Sequence, residues 1–246
     1  MTTSPINSTD FRIEGKGYVP ANELDHAREM LEKVLHLVDE PVLSAKALLA
    51  DRPNNSVAHR CEAEASINVR GDTLRAHSFA PTMTEAVDSL KDKLRGQLRH
   101  RADRRRTESI RKVTEEGTWR HGSRPSDRPG FFDRPIDERE LVRHKTFATP
   151  TSTVEEAVWD MAQLDYDFFL FSDEDTGADA VVSFGEEDHE TVVQTSEDAP
   201  ELSVDSALDW LNTSGERFVF FNDSETGRGS VVYRRYDGHH GLLTPR

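Results

Sequence analysis

The spacing of apolar and polar positions changes several times along this chain, and each change predicts an element. At 61–70 the chain reads CEAEASINVR: Cys61, Ala63, Ala65, Ile67 and Val69 alternate with Glu62, Glu64, Ser66, Asn68 and Arg70. A period of two describes a half-buried antiparallel strand. RGDT then turns the chain into LRAHSFA, its pairing strand. Upstream, FRI at 11–13 opens one strand and VLSAKALLA at 42–50 forms another, which ends in the turn cluster DRPNN. Helical spacing appears twice. Asn22 is placed to cap a helix striped by Leu24, Met30, Leu31, Val34, Leu35 and Val38. Thr82 and Glu85 form a T-x-x-E capping box, followed by Met83, Ala86, Val87, Leu90, Leu94 and Leu98 on one face. The predicted order over 10–106 is β-α-β-β-β-α, a sheet with two helices on one face.

From 107 to 139 no period is sustained. GTWRHGSRPSDRPGFFDRP is rich in Gly, Pro, Ser, Arg and Asp and reads as an extended linker, with Trp119, Phe131 and Phe132 as candidate docking points. Beyond it the chain repeats itself. FFLFSDEDTGADAVVS at 168–183 returns as FVFFNDSETGRGSVVY at 218–233. Sliding 154–182 onto 204–232 needs no gap and gives nine identities in 29 positions, among them Phe168/Phe218, Asp173/Asp223, Thr176/Thr226 and Gly177/Gly227. A fixed period marks one supersecondary unit used twice, here 140–190 and 191–246. Each copy reads as strand, helix, strand, hairpin, strand. Thr153 with Glu156 and Ser203 open the two helices, and the DxxTG turns offer glycine for positive φ. The whole is expected to be α+β.

Charge refines this division. The net charge is −15, yet residues 1–106 carry 17 Lys and Arg against 16 Asp and Glu, 107–139 carry 7 against 7, and 140–246 carry 7 against 23. The repeated half is therefore expected to repel nucleic acid at long range, and the first half is free to bind it. Within that half, 91–106 holds eight basic residues, of which Lys91, Arg95 and Arg99 share a solvent face by four-residue spacing. A mixed sheet with a basic helix suits RNA phosphates and A-form geometry, as double-stranded-RNA-binding domains do.

Catalytic and metal chemistry find little support. Asp173, Asp175 and Asp179 suggest a calcium loop, but the sixth and twelfth positions hold Ala178 and Phe184 instead of Gly and Glu. GKG at 15–17 and GRG at 227–229 lack phosphate-loop or dinucleotide spacing. Adjacent His239 and His240 point apart in a strand. Cys61 is the single cysteine and reads as a small core residue. No apolar run approaches the 18 or so residues of a membrane helix, and the start lacks the basic-then-apolar order of a secretion signal. A cytoplasmic protein with no cofactor, metal, small-molecule substrate or enzymatic role is the expectation.

Three stretches carry a family resemblance: FRIEGKGYVPANEL with the helix MTEAVDSLKDKLRGQLRHRADRRR, then LVRHKTFATPTSTVEEAVWDMAQLDYDFFLFSDEDTG, and FVFFNDSETGRGSVVYRRYDGHHGLLTPR. In these the chain resembles the long-form ribosome hibernation promoting factors, over about 10–106 and 140–246. Two tail copies instead of one make it most similar to the tandem-tail, hypoxia- and dormancy-associated subgroup of actinobacteria. The resemblance implies a non-enzymatic factor in the mRNA and tRNA path of the small subunit, touching 16S ribosomal RNA within the 70S ribosome through Lys91, Arg95 and Arg99, with Arg70 and Arg75 as further candidates. A regulatory RNA-binding or transcription-modulating protein unconnected with the ribosome is the competing reading. The family's tail joins two ribosomes by homodimerising, as the resemblance implies. Two linked copies of about 50 residues, each too small to be comfortably stable alone, are expected to replace that pairing by an intramolecular pseudo-dimer. Phe168, Phe169, Phe171, Phe218, Phe220 and Phe221 are the candidates for its core and interface, and the chain is expected to be a monomer off the ribosome.

Overall fold

The computed structural model describes residues 11–38, 40–53, 59–111, 132, 134–185 and 191–246, with side chains of the second helix described as far as residue 102. Contacts divide the chain into two compact units, Met1–Pro129 with Ala162–Tyr166, and Gly130–Met161 with Asp167–Arg246.

The first unit has the expected order: β1 Phe11–Lys16, α1 Ala21–Leu35, β2 Val42–Asp51, β3 Cys61–Val69, β4 Asp72–Ala80 and α2 Met83–Arg111. Strand order follows chain order, with β1 parallel to β2 and the other pairs antiparallel. The alternating residues of β3 are buried together with Leu74, Ala76, Leu31, Val34, Leu90 and Leu94, so both helices cover one sheet face. Arg70 and Gly71 make the two-residue turn between β3 and β4, both at positive φ. Two expectations change. α1 starts at Ala21 after Pro20, and no side chain caps it. Asn22 lies inside the first turn, and the carbonyl of Pro20 accepts from the Glu23 and Leu24 amides instead. The basic helix also runs on to Arg111, inside the stretch assigned to the linker.

Trp119 and Phe131 lie outside the described residues. Phe132 is described: its amide donates to the Tyr236 carbonyl at 3.1 Å, and the Arg134 guanidinium lies 5.7 Å from its ring centre.

In the second unit, a short 3₁₀ turn, Ile136–Glu138, leads to β5 Leu141–Phe147, β6 Thr151–Ser152, α3 Val154–Gln163, β7 Phe168–Asp173 and β8 Asp179–Phe184. Then follow β9 Thr191–Thr195, β10 Glu201–Leu202, α4 Val204–Ser214, β11 Phe218–Asp223, β12 Gly229–Arg234 and β13 His240–Pro245. Both helix starts are capped. Thr153 and Glu156 exchange bonds at 3.3 Å, and Ser203 Oγ accepts from the Ser206 amide at 3.2 Å. The repeated DxxTG phrase builds the same turn twice. Asp173 accepts from the Asp175 amide and the Thr176 hydroxyl, Asp223 from the Glu225 amide and the Thr226 hydroxyl. Gly177 and Gly227 close these turns at φ +72° and +66°.

The sheets ignore the boundary drawn at 190. One has the order β6-β7-β8-β9, the other β10-β11-β12-β13-β5. The first strand of copy one thus completes the sheet of copy two, lying parallel to β13. β9, which the 50-residue offset equates with β5, instead closes the sheet of copy one beside β8. Local sequence signals each strand but not its neighbour.

Candidate nucleic-acid interface

α2 is held to its sheet by an apolar stripe, which fixes the residues left facing outward. Arg95 and Arg99 are exposed. Lys91 is half-buried and pairs with Asp88 at 2.9 Å. Asp88 is held below the usual carboxylate range by that hydrogen bond first and by the lysine charge after it. Such a surface pair contributes little, so the lysine exchanges partners at small cost.

Arg101 behaves differently from its basic neighbours. It is 8% exposed, donates to Asp72 at 2.8 Å, and reaches Glu40 and the Val69 carbonyl at 3.4 Å. It anchors the helix to the β3–β4 hairpin and is not part of the outward face. That anchor also locates Arg70, exposed on the hairpin turn one residue beyond Val69. Gln97 donates to the Arg75 carbonyl at 2.7 Å, so α2 runs back along β4 toward that turn. Arg70 and Arg99 therefore lie at the same end of the unit.

Arg75 is placed elsewhere. It alternates with the buried Leu74 and Ala76 and lies on the sheet face away from the helices, where it forms an ion pair with Glu64. Glu64 also faces His77, its cross-strand neighbour. The His77 hydrogen bond, against the cost of burial and with the charges of His77 and Arg75, holds the Glu64 carboxyl down to about 2. Among the sequence candidates, the structure thus gathers Lys91, Arg95 and Arg99 on one helix face, brings Arg70 toward its far end, and sets Arg75 apart in a paired network. The side chains of Arg104, Arg105 and Arg106 lie outside the described residues.

The aromatic candidates of the tail separate by strand parity. Phe168, Phe218 and Phe220 share one cluster with Leu170, Val181, Val231, Tyr233 and Leu243, drawn from both copies. The rings of Phe168 and Phe218 lie 4.6 Å apart, and Tyr233 sits 5.8 Å from Phe168. Phe169 and Phe171 instead pack under α3, and Phe221 under α4, each within its own copy. Neighbouring residues of a strand face opposite ways, so six consecutive-run phenylalanines cannot all share one face. The alternation that assigns them also points to Leu170, Val181, Val231 and Tyr233, which sequence reasoning missed.

Among the described residues no group of three or more His, Cys, Asp or Glu is placed to hold a metal ion, and no helix is long and apolar enough to cross a membrane. Asp179 is taken up by an arginine instead, with Arg228 Nε 2.7 Å from its carboxylate.

The chain is 32% identical over 143 residues to the dormancy associated translation inhibitor of Mycobacterium tuberculosis, a match covering 48% of this chain and 52% of that protein. It thus spans about half the length of that relative. The chloroplastic ribosome-binding factor PSRP1 of Spinacia oleracea matches 98% of this chain and 70% of its own length at 27% identity. Among solved structures, the N-terminal domain of Thermus thermophilus Protein Y matches 36% of this chain and 93% of its own at 18% identity, with a TM-score of 0.30. Residues 12–106 match the family described as Sigma 54 modulation protein / S30EA ribosomal protein, and the C terminus of that family matches twice, at 137–182 and 186–242. The chain belongs to the Sigma 54 modulation / S30EA ribosomal protein family, with its C-terminal part present in two copies.

Proposed function

We propose that this protein is a ribosome hibernation factor that acts by occupancy, with no catalytic step. Its first unit docks on small-subunit ribosomal RNA in the mRNA and tRNA path, blocks translation and preserves idle ribosomes. The observation that carries the reading is the outward face of α2: Arg95 and Arg99 stand exposed on a helix whose other side is locked into the core, in a chain of net charge −15. Cations concentrated on one rigid face of an otherwise acidic protein gain affinity by releasing counterions from phosphates. The printed names of its relatives, a translation inhibitor and a ribosome-binding factor, support the same target.

The tail is read as an internal pair. The cluster built from Phe168, Leu170, Val181, Phe218, Phe220 and Val231 covers in one chain the face that two identical chains would bury in a homodimer. Ribosomes bound by this protein then remain single. Sedimentation of purified ribosomes with the full chain tests both parts. The protein should travel with single ribosomes, no ribosome-dimer peak should appear, and a variant carrying Lys91→Glu, Arg95→Glu and Arg99→Glu should stay at the top of the gradient. Binding unchanged by the triple reversal would sink the rRNA reading, and a ribosome-dimer peak would sink the single-ribosome reading.

A further inference from the structure

The 50-residue offset equates Ala178 with Arg228 and Asp179 with Gly229. Asp179, Arg228 and Gly229 meet where the two copies touch, and the ion pair runs in one direction only, from the second copy's arginine to the first copy's aspartate. The Asp179 carboxylate, 5% exposed, accepts from Arg228 Nε at 2.7 Å, from Arg228 Nη2 at 2.9 Å and from the Gly229 amide at 2.9 Å. The Ser172 hydroxyl lies 3.4 Å away. A Cβ added at Gly229 would stand 2.7 Å from the Asp179 Cβ and 2.8 Å from the Phe220 ring. The glycine is therefore required by two side chains, the aspartate across from it and the Phe220 ring of its own copy, and not by its own backbone.

Pairing like copies changes both terms. Two first copies would bring Asp179 against a second Asp179, two carboxylates and two Cβ atoms in the space that now holds one of each. Two second copies would set Gly229 against Gly229, leaving each Arg228 without its carboxylate. Building a clash and an unpaired charge into wrong partners is how an interface discriminates.

We propose that Asp179 with Arg228 and Gly229 forms a directional key that makes this face accept only the unlike copy. The five-residue connection 196–200 between β9 and β10 supplies that unlike copy from the same chain. The key rests on the internal-pair reading and explains how the duplicated tail loses the self-association of an isologous surface.

By the pseudo-twofold relation, a reversed key should fit as well as the natural one once Phe220 is replaced by the leucine that copy one carries at the equivalent Leu170, which frees the space a Cβ at Gly229 needs. Three variants of the full chain, each built on a Phe220→Leu parent, test this: Arg228→Ala with Gly229→Asp, Ala178→Arg with Asp179→Gly, and all four together. Sedimentation velocity reads association, and deuterium exchange reads protection in β7, β8, β11 and β12. Each double variant should exchange at least tenfold faster in those strands or associate with concentration. The quadruple variant should return to the monomer and the protection of its Phe220→Leu parent. The second double variant adds no clash, so the test survives misfolding of the first. Doubles that match the parent, or a quadruple variant no better than the doubles, overturn the key. A wild-type chain that is itself dimeric overturns the internal-pair reading instead, and ribosome binding through α2 is read by neither measurement.

Discussion

β3 and β7 meet different surroundings. β3 presses Cys61, Ala63, Ala65, Ile67 and Val69 against two helices and turns Glu62, Glu64, Ser66 and Asn68 the other way. β7 turns Phe169 and Phe171 toward α3, and Phe168 and Leu170 toward the strands of the other copy. One sheet is covered on a single face by its own helices; the other is apolar on both. The first unit therefore satisfies its core alone, and Arg95 and Arg99 on the outer side of α2 stay exposed. The tail has spent its second sheet face on itself, and its acidic helices and turns face water. In the proposed reading, duplication has converted a surface for a partner into a surface for the chain.

That comparison is open to direct attack, and the core offers the largest effect. Phe171 is fully buried, and Phe171→Ala should cost about 3–5 kcal/mol. Calorimetry should show the loss in one transition only, with the first unit unmoved; a joint shift would mean the two units unfold together. Next comes the outward face of α2. The Lys91, Arg95 and Arg99 reversal should weaken ribosome binding at least hundredfold and flatten the slope of log affinity against log salt by about 2 to 3, as three lost phosphate contacts require. Arg101→Ala should do the reverse. It should destabilise the first unit by about 2 kcal/mol through the lost packing of its buried stem and the lost bonds to Asp72, Glu40 and the Val69 carbonyl, while the salt slope of binding stays that of the wild type.

The smallest effect distinguishes the units by acid. Burial, then the charges of Arg139, Arg234 and His239, lower the His240 pKa from its usual value near 6.5. A depressed histidine favours the neutral form in the fold, so its contribution is present at neutral pH and fades as pH drops below about 6.5. Glu64, held to about 2, contributes above the ordinary carboxylate range and loses that contribution only as pH falls from about 4.5 toward 2. Acid should therefore loosen the tail before the first unit. Trp159 and Trp210 are the tryptophans of the tail, so in a Trp119→Phe background tryptophan fluorescence should respond before the first unit's deuterium exchange does. His240→Gln should remove the early response, and an unchanged profile would exclude histidine as its source.

How much the sequence revealed followed from the same contrast. β3 was legible because one-sided cover writes a clean alternation. FFLF and FVFF hid their pairing because a strand buried on both faces has no polar beat, and only parity separates Phe168 from Phe169. Arg101 was counted among the basic residues although it continues the spacing of Leu94 and Leu98 at i+4 and i+7, a signal that residue type masked. Asn22 looked like a cap by composition, yet the preceding proline set the helix start. The partnership of β5 with β13 left no local trace, since its hydrogen bonds join residues about a hundred positions apart.

That last distance has a cost in time. β5 is made early, but the strand it must join is completed about a hundred residues later. At elongation rates of roughly 5–20 residues per second, it waits on the order of 5–20 s with its edge unpaired. Leu141 and Val142 remain exposed even in the finished fold, and such an edge invites pairing with another nascent chain. Arg143 and Lys145, on the same strand, are the residues that discourage it, charges of the kind that keep an edge soluble until its partner arrives.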